Sequence, residues 1–524
     1  MNLLKSTGII GGMTLISRIF GFARDMMLSR ILGASAVGDA WQLAFQLPNI
    51  FRRLFAEGAF SAAFVPLFNR KAAEDGDDGN EAAQRFANET LSVFLPILLL
   101  FSALMIAVMP WAIWLIDDFG QGGRTNDTSI TLARITFPYL GLISIMTLFA
   151  AILNSISKFA AAAFAPVLLN LCMIAALLTA IFLDGGADTE RAAMLLAWSV
   201  SIAGVVQMIW LWYWARKAGF RITIQRPRFT ADVRELGVLI LPAVFGAGIY
   251  QISRFIDLFF LGRLQEGSFV FLALADRLNQ LPLGIIGIAL GTAILPALSR
   301  FIAQKDSGGA QRVQSNAIEL GLLLTVPAAV GLFCAAQPLV SAFYFGGKFG
   351  MDAVTNTASV VAMLVIGLPA YVLVKVLTPG FFARKDTKTP VYTAAASLVI
   401  NIVLNLSLIP IMGVAGLALA GALAAWANCV MLYAILHKRG HFTVEPDLFV
   451  RIGRIMISAT AMGGVIYGLA PFGQSYYNAG AFARIVSIVA LVGTGALVYF
   501  ALAWFTGAID RSKITMLTRK QTSQ

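Results

Sequence analysis

The sequence predicts an all-α polytopic membrane protein of about fourteen transmembrane helices, built as two pseudo-symmetric six-helix lobes plus two C-terminal helices. Three observations carry this expectation. Of 524 residues, 58% are hydrophobic and only 13% are charged, with a mean hydropathy of +0.79, the composition of a chain that meets lipid on many faces. Apolar runs of about 20 residues, the length that spans a bilayer as helix, recur roughly fourteen times. Short motifs then repeat in order between the two halves.

The runs lie near residues 6–33, 38–68, 88–116, 130–156, 160–183, 192–215, 235–262, 268–300, 316–342, 355–382, 389–410, 414–436, 451–471 and 482–507. The first carries Arg18, Arg24 and Asp25 and no small-residue cleavage signal, so it reads as a retained helix and not a signal peptide. With the N-terminus inside, one side of the membrane receives Lys5, Arg70, Lys71, Arg85, Lys158, the cluster from Arg216 to Arg234, and the basic residues near 300–312, 384–388, 438–454 and 511–520. The other side receives only Arg124, Arg191, Arg263, Lys348 and Arg484. That asymmetry places both termini in the cytoplasm by the positive-inside rule.

The repeat is weak but ordered. Ile16-Ser17-Arg18 matches Ile252-Ser253-Arg254, Gln46-Leu47-Pro48 matches Gln280-Leu281-Pro282, and Val65-Pro66 matches Leu295-Pro296, at offsets of 236, 234 and 230. Six passes separate the copies, so the halves share one orientation, as in parallel repeats. The expected division is an N-lobe over 1–218, a C-lobe over 219–440, and a C-terminal helix pair with a tail over 441–524.

Charges inside these spans are costly and therefore informative. Beyond those assigned to the two sides, nine Lys and Arg residues lie within them, and Arg18, Arg24, Arg30, Arg52 and Arg53 fall in the first two. In the second span Asp39, Gln42, Gln46, Asn49, Arg53 and Glu57 recur at spacings of 3, 4, 3, 4 and 4, which keeps them on one helical face. Arg52 flanks the stripe, and Pro48 within it suggests a kink. The eighth span brings Asp276, Arg277, Asn279 and Gln280 to a similar position before Pro282. Guanidinium groups outnumber carboxylates, and Arg is the favoured bidentate donor to phosphate oxygens. The pattern points to a cavity for an anionic ligand. The competing reading is internal pairing that staples helices, with Arg24 to Asp25 and Arg53 to Glu57 as the pairs.

A smaller polar set comprises Asp257, Ser253, Asn401 and Asn405, which reads either as a cation or proton site or as an Asp257 to Arg254 salt bridge on one helix. Lys375, alone in the tenth span, reads as a snorkelling lysine. Cys172, Cys334 and Cys429 stand isolated in apolar runs and read as packing residues. His437 and His441 lack acidic neighbours, so no metal site is expected. The chain has no G-x-x-x-x-G-K-[ST] phosphate loop, and no basic segment interleaved with aromatics of the kind that binds single strands. Neither an enzyme nor a nucleic-acid partner is expected.

The run from Ser17 to Asp25, the run Leu47-Pro48-Asn49-Ile50-Phe51-Arg52-Arg53-Leu54-Phe55-Ala56-Glu57-Gly58-Ala59-Phe60, and Ala275-Asp276-Arg277-Leu278 closely resemble the MurJ (MviN) family of lipid II flippases. The resemblance covers essentially the whole chain. It implies the multidrug/oligosaccharidyl-lipid/polysaccharide exporter fold and movement of undecaprenyl-diphosphate-linked disaccharide-pentapeptide to the outer leaflet of the bacterial cytoplasmic membrane, for peptidoglycan synthesis. It assigns substrate contacts to Arg18, Arg24, Arg52, Arg53 and Arg277, with Asp25, Asp39, Asn49 and Glu57 beside them. No cofactor is implied. A coupling cation (Na+ or H+) or the membrane potential is expected to supply the drive, and the expected partners are lipid II, membrane lipids and cell-wall synthases. The alternatives are export of another polyprenol-linked sugar or a drug, a scaffold for cell-wall synthases, or a membrane glycosyltransferase.

Overall fold

The structure is a computed structural model that describes residues 3–55, 59–74, 79–117, 124–221, 223–477 and 480–509. Among these, eleven helical stretches are long and apolar enough to cross a membrane. Three expected spans fall outside that set: 6–33, 38–68 and 235–262. Their described residues are helical nonetheless, those of 38–68 in two helices, and the first two spans carry Arg18, Arg24, Asp25, Asp39, Arg52 and Arg53, which lower their apolarity.

The chain divides into two compact units, Met1–Val270 with Gly346–Phe349, and Phe271–Phe345 with Gly350–Gln524. The first unit contains α1 (Leu3–Leu32), α2 (Ala36–Phe55), α3 (Ala59–Glu74), α4 (Gly79–Asp117), α5 (Arg124–Thr136), α6 (Tyr139–Ser155), α7 (Phe159–Asp184), α8 (Thr189–Lys217) and α9 (Ala231–Leu261). The single span expected at 130–156 is thus broken. Pro138 opens α6, and a proline lacks the N–H that would continue α5.

Helix α9 packs on α2, α3 and α4, and its first turns are tied to α3 by Arg70 to Glu235 at 2.6 Å and Lys71 to Asp232 at 3.1 Å. By packing, then, α9 sits with the first unit, whereas the repeat begins the second lobe at 219.

The core of the first unit is aromatic. Phe60, Phe64 and Phe68 follow at i, i+4 along α3 and stack at 5.3 and 5.5 Å, with Phe86 of α4 against Phe64 at 5.3 Å. Each such pair adds about 0.5–1.5 kcal/mol beyond the area it buries. The basic loop after α8 does not hang free. Its backbone N–H groups at Arg221, Thr223 and Gln225 donate to Gln84, Asn88 and Ser92, which lie one turn apart on α4.

The second unit contains most of α10 (Ser268–Ala303), then α11 (Ser307–Cys334), α12 (Ala336–Tyr344), α13 (Met351–Val365), α14 (Leu368–Phe382), α15 (Lys388–Met412), α16 (Val414–Lys438), α17 (Pro446–Tyr477) and α18 (Ala481–Phe505). The expected spans at 316–342 and 355–382 are each two helices, the latter broken at Gly367, which lies just before Pro369. The core here is aliphatic, drawn from α10, α11, α14, α16, α17 and α18. Tyr499 of α18 donates its buried hydroxyl to the Leu323 carbonyl at 2.7 Å, which satisfies the polar group that a buried tyrosine must place.

Candidate functional site

Arg24 is the most enclosed of the expected arginines, 5% exposed, beside Asp25 at 7%. Its Nε and Nη2 donate to Asp25 Oδ1 at 2.9 and 2.6 Å, and its Nη1 donates to Asn170 Oδ1 at 2.9 Å. Met173 Sδ lies 3.4 Å from the same nitrogen, and the guanidinium stands 5.7 Å from the Phe45 ring centroid. Asn170 in turn donates from Nδ2 to the Ser17 carbonyl at 3.0 Å.

Local sequence explains the meeting. Ser17, Gly21 and Arg24 lie on one face of α1 at spacings of 4 and 3. Gly21 faces α7, and a Cβ there would meet Asn170 Nδ2 at 3.5 Å, an ordinary van der Waals contact. Asn170 and Met173 are likewise one turn apart on α7. Part of the stapling reading therefore holds, because Arg24 does pair with Asp25. It pairs within its own helix, however, and the Asn170 amide is among the contacts that cross to another helix. The Arg53 to Glu57 pairing lies outside the described residues, as does Glu57 itself.

On α2 the stripe is partly self-braced. Asn49 donates from Nδ2 to the Phe45 carbonyl at 2.8 Å and accepts from Arg52 Nε at 3.1 Å. That bond orients the Arg52 fork along the helix axis. Arg18, Arg52 and Arg53 are all half-buried, a position that shields a charge while leaving it reachable. Asp39 is placed differently from its stripe-mates. Its carboxylate accepts from the backbone N–H groups of Gly267 and Val270 at 2.7 and 3.1 Å, so it caps the first turn of α10, where backbone donors lack helical partners.

In the second unit, Arg277 and Asp276 are half-buried, and Gln280 Nε2 donates to Asp276 Oδ2 at 2.5 Å. Asn279 is 2% exposed, and its Oδ1 has no hydrogen-bond partner among the described residues. Asn401 and Asn405 are buried on α15 and joined by one bond, Asn405 Nδ2 to Asn401 Oδ1 at 3.1 Å. Asp257 and Arg254 are half-buried on α9, in the first unit.

Sequence reasoning missed Asn170 and Phe45 as neighbours of Arg24, and Ser17 as the partner of Asn170. One polar residue on an otherwise apolar helix has no periodic companion to flag it.

Helices that span a membrane and carry arginines and amides at that depth define a polytopic membrane protein of the transporter class. The chain belongs to the lipid II flippase MurJ family, whose model matches residues 28–488. It is 39% identical to the "probable lipid II flippase MurJ" of Rhizobium tropici over 97% of this chain and 95% of that protein. It is 33% identical to the lipid II flippase MurJ of Burkholderia cenocepacia over 97% of this chain and 98% of that one. Among solved structures it resembles a lipid II flippase MurJ in an inward closed conformation, with TM-score 0.77 and 24% identity over 95% of this chain and 98% of that chain. It also resembles an inward-facing MATE family transporter of the MOP superfamily, with TM-score 0.62 and 15% identity over 82% and 97%. The fold is therefore that of the exporter superfamily expected from the sequence.

Proposed function

We propose that this protein moves lipid II, the undecaprenyl-diphosphate-linked disaccharide-pentapeptide, from the inner to the outer leaflet of a bacterial cytoplasmic membrane, by alternating access and for peptidoglycan synthesis. The observation that carries the reading is the arginine set at membrane depth in a chain of this family. A diphosphate and its sugars cannot cross hydrocarbon unaided, because desolvating them without partners costs several kcal/mol for each polar group. Fixed guanidinium forks replace that hydration with charge-assisted bonds, while the polyprenyl tail stays in lipid.

Arg18, Arg24, Arg52, Arg53 and Arg277 take the head-group anion in this account, with Asp25, Asn49, Asp39 and Glu57 orienting or balancing them. Asp257 with Asn401 and Asn405 serves as the cation or proton site that couples an ion gradient to lobe movement. Both termini lie in the cytoplasm, and the protein acts as a transporter and not as an enzyme. Cell-wall synthases, which consume the product outside, are the partners the reading suggests. Depleting the protein and measuring on which leaflet lipid II accumulates tests it. Accumulation on the inner leaflet is expected, and an unchanged distribution would contradict the assignment.

A further inference from the structure

Lys375 is the lone Lys or Arg residue in Met351–Phe382, the α13–α14 pair with mean hydropathy 2.4. It lies about two turns from the end of α14 at Phe382, so a snorkelling lysine would reach toward that end. Its side chain does the reverse. A Cβ on Gly291 of α10 would stand 3.9 Å from Lys375 Cβ, whereas a Cβ on Gly287 would stand 3.1 Å from Nζ and 3.2 Å from Cδ. The chain thus climbs α10 from the level of Gly291 to that of Gly287. One pass separates α10 from α14, so the two run in the same direction, and the ammonium points away from Phe382, the nearer end of the Met351–Phe382 span, and toward Arg277.

Arg277, Gln280, Gly284, Gly287 and Gly291 follow at spacings of 3, 4, 3 and 4, a single face of α10. Its upper part carries a guanidinium and an amide; its lower part is glycine, which leaves room beneath the exposed Lys375. The levels of Arg277 and Gly287 are about 15 Å apart along the axis. A diphosphate, two phosphorus atoms joined through one oxygen, is far too short to touch both cations. A single ligand that meets both cations must therefore carry a second anion.

Resting on the flippase reading above, we propose that Lys375 is a specificity-determining residue that binds a carboxylate of the pentapeptide while the diphosphate is held elsewhere. A peptide attached through its N-terminus ends in a carboxylate, and a lysine is a compact point charge suited to an anion whose orientation varies.

The test is binding of lipid II and of undecaprenyl diphosphate, which has no peptide, to the purified full chain in detergent. The proteins are wild type, Lys375→Ala, Lys375→Met, Lys375→Arg and Arg277→Ala. The proposal expects Ala and Met at 375 to weaken lipid II binding about tenfold while undecaprenyl diphosphate changes by less than about twofold, and Arg at 375 to restore most of the loss. An equal loss for both ligands, no loss for either, or loss of folded protein in both Ala and Met variants would each overturn it. Arg277→Ala separates the two failures, since a flippase must lose affinity for both ligands there. If it loses neither, the flippase reading fails and not merely the role of Lys375.

Discussion

Arg24 Nη1 and Asn170 Oδ1 meet at 2.9 Å although 146 residues separate them in the chain. This bond fixes the guanidinium across the α1–α7 contact, and the Asn170 bond to the Ser17 carbonyl fixes the amide in its turn. Arg24 is thus held by the Asn170 amide and by its neighbour Asp25, which together orient the fork.

Replacing Asn170 separates that orientation from packing. Asn170→Leu keeps the shape but leaves a buried donor unsatisfied, at a cost of about 1–3 kcal/mol, so thermal stability in detergent and complementation of a depleted strain should both fall. Asn170→Asp keeps an acceptor for Arg24 but loses the donor to the Ser17 carbonyl and sets a carboxylate oxygen against it, so transport should fall and some stability should be lost with it. Transport by the Asp variant at the wild-type rate would remove the orienting role.

The coupling role rests on Asp257. Asp257→Asn should abolish any dependence of transport on an ion gradient while leaving lipid II binding intact. If complementation and ion dependence both survive the substitution, the residue is structural at most and the reading as a salt bridge to Arg254 stands.

Asp386 supplies a pH test outside the spans. The Thr389 hydroxyl and N–H, followed by Arg439, hold its carboxyl well below the ordinary value of 3.8. The folded state therefore binds the proton more weakly than the unfolded chain, so the stabilisation is present above pH 3.8 and is lost as pH falls through the lower folded value. Asp386→Asn should lower the melting temperature at pH 7, with the gap to wild type narrowing as pH drops below 3.8. A constant gap across that range would show that the charge contributes nothing.

Orientation is tested at the loop after α8. With the basic clusters inside, a single cysteine placed at Arg226 or Arg228 in a Cys-free background should resist an impermeant thiol reagent in intact cells and react once they are lysed. Labelling in intact cells would reverse the topology.

The fold class was legible because hydropathy and run length report lipid exposure directly. The helix breaks at Pro138 and Gly367 were not, since an apolar run looks continuous whether one helix or two fill it. The α2 stripe was legible because Asp39 to Arg53 keep a helical period. What Asp39 does was not, because its partners Gly267 and Val270 lie 228 and 231 residues downstream. Asn170 gave no periodic signal, and Lys375 was read by its isolation, which says nothing of the direction its side chain takes.

The most direct test of the arginine account is lipid II binding by a variant with Arg24, Arg52, Arg53 and Arg277 all changed to Ala, measured beside its membrane abundance and a matched all-Lys variant. The account predicts that the Ala variant inserts normally but loses binding, each lost charge-assisted bond costing about 1.5–3 kcal/mol. The Lys variant should recover only part of the affinity, because an ammonium keeps the charge and loses the planar fork. Wild-type binding by the Ala variant at normal abundance would contradict the account.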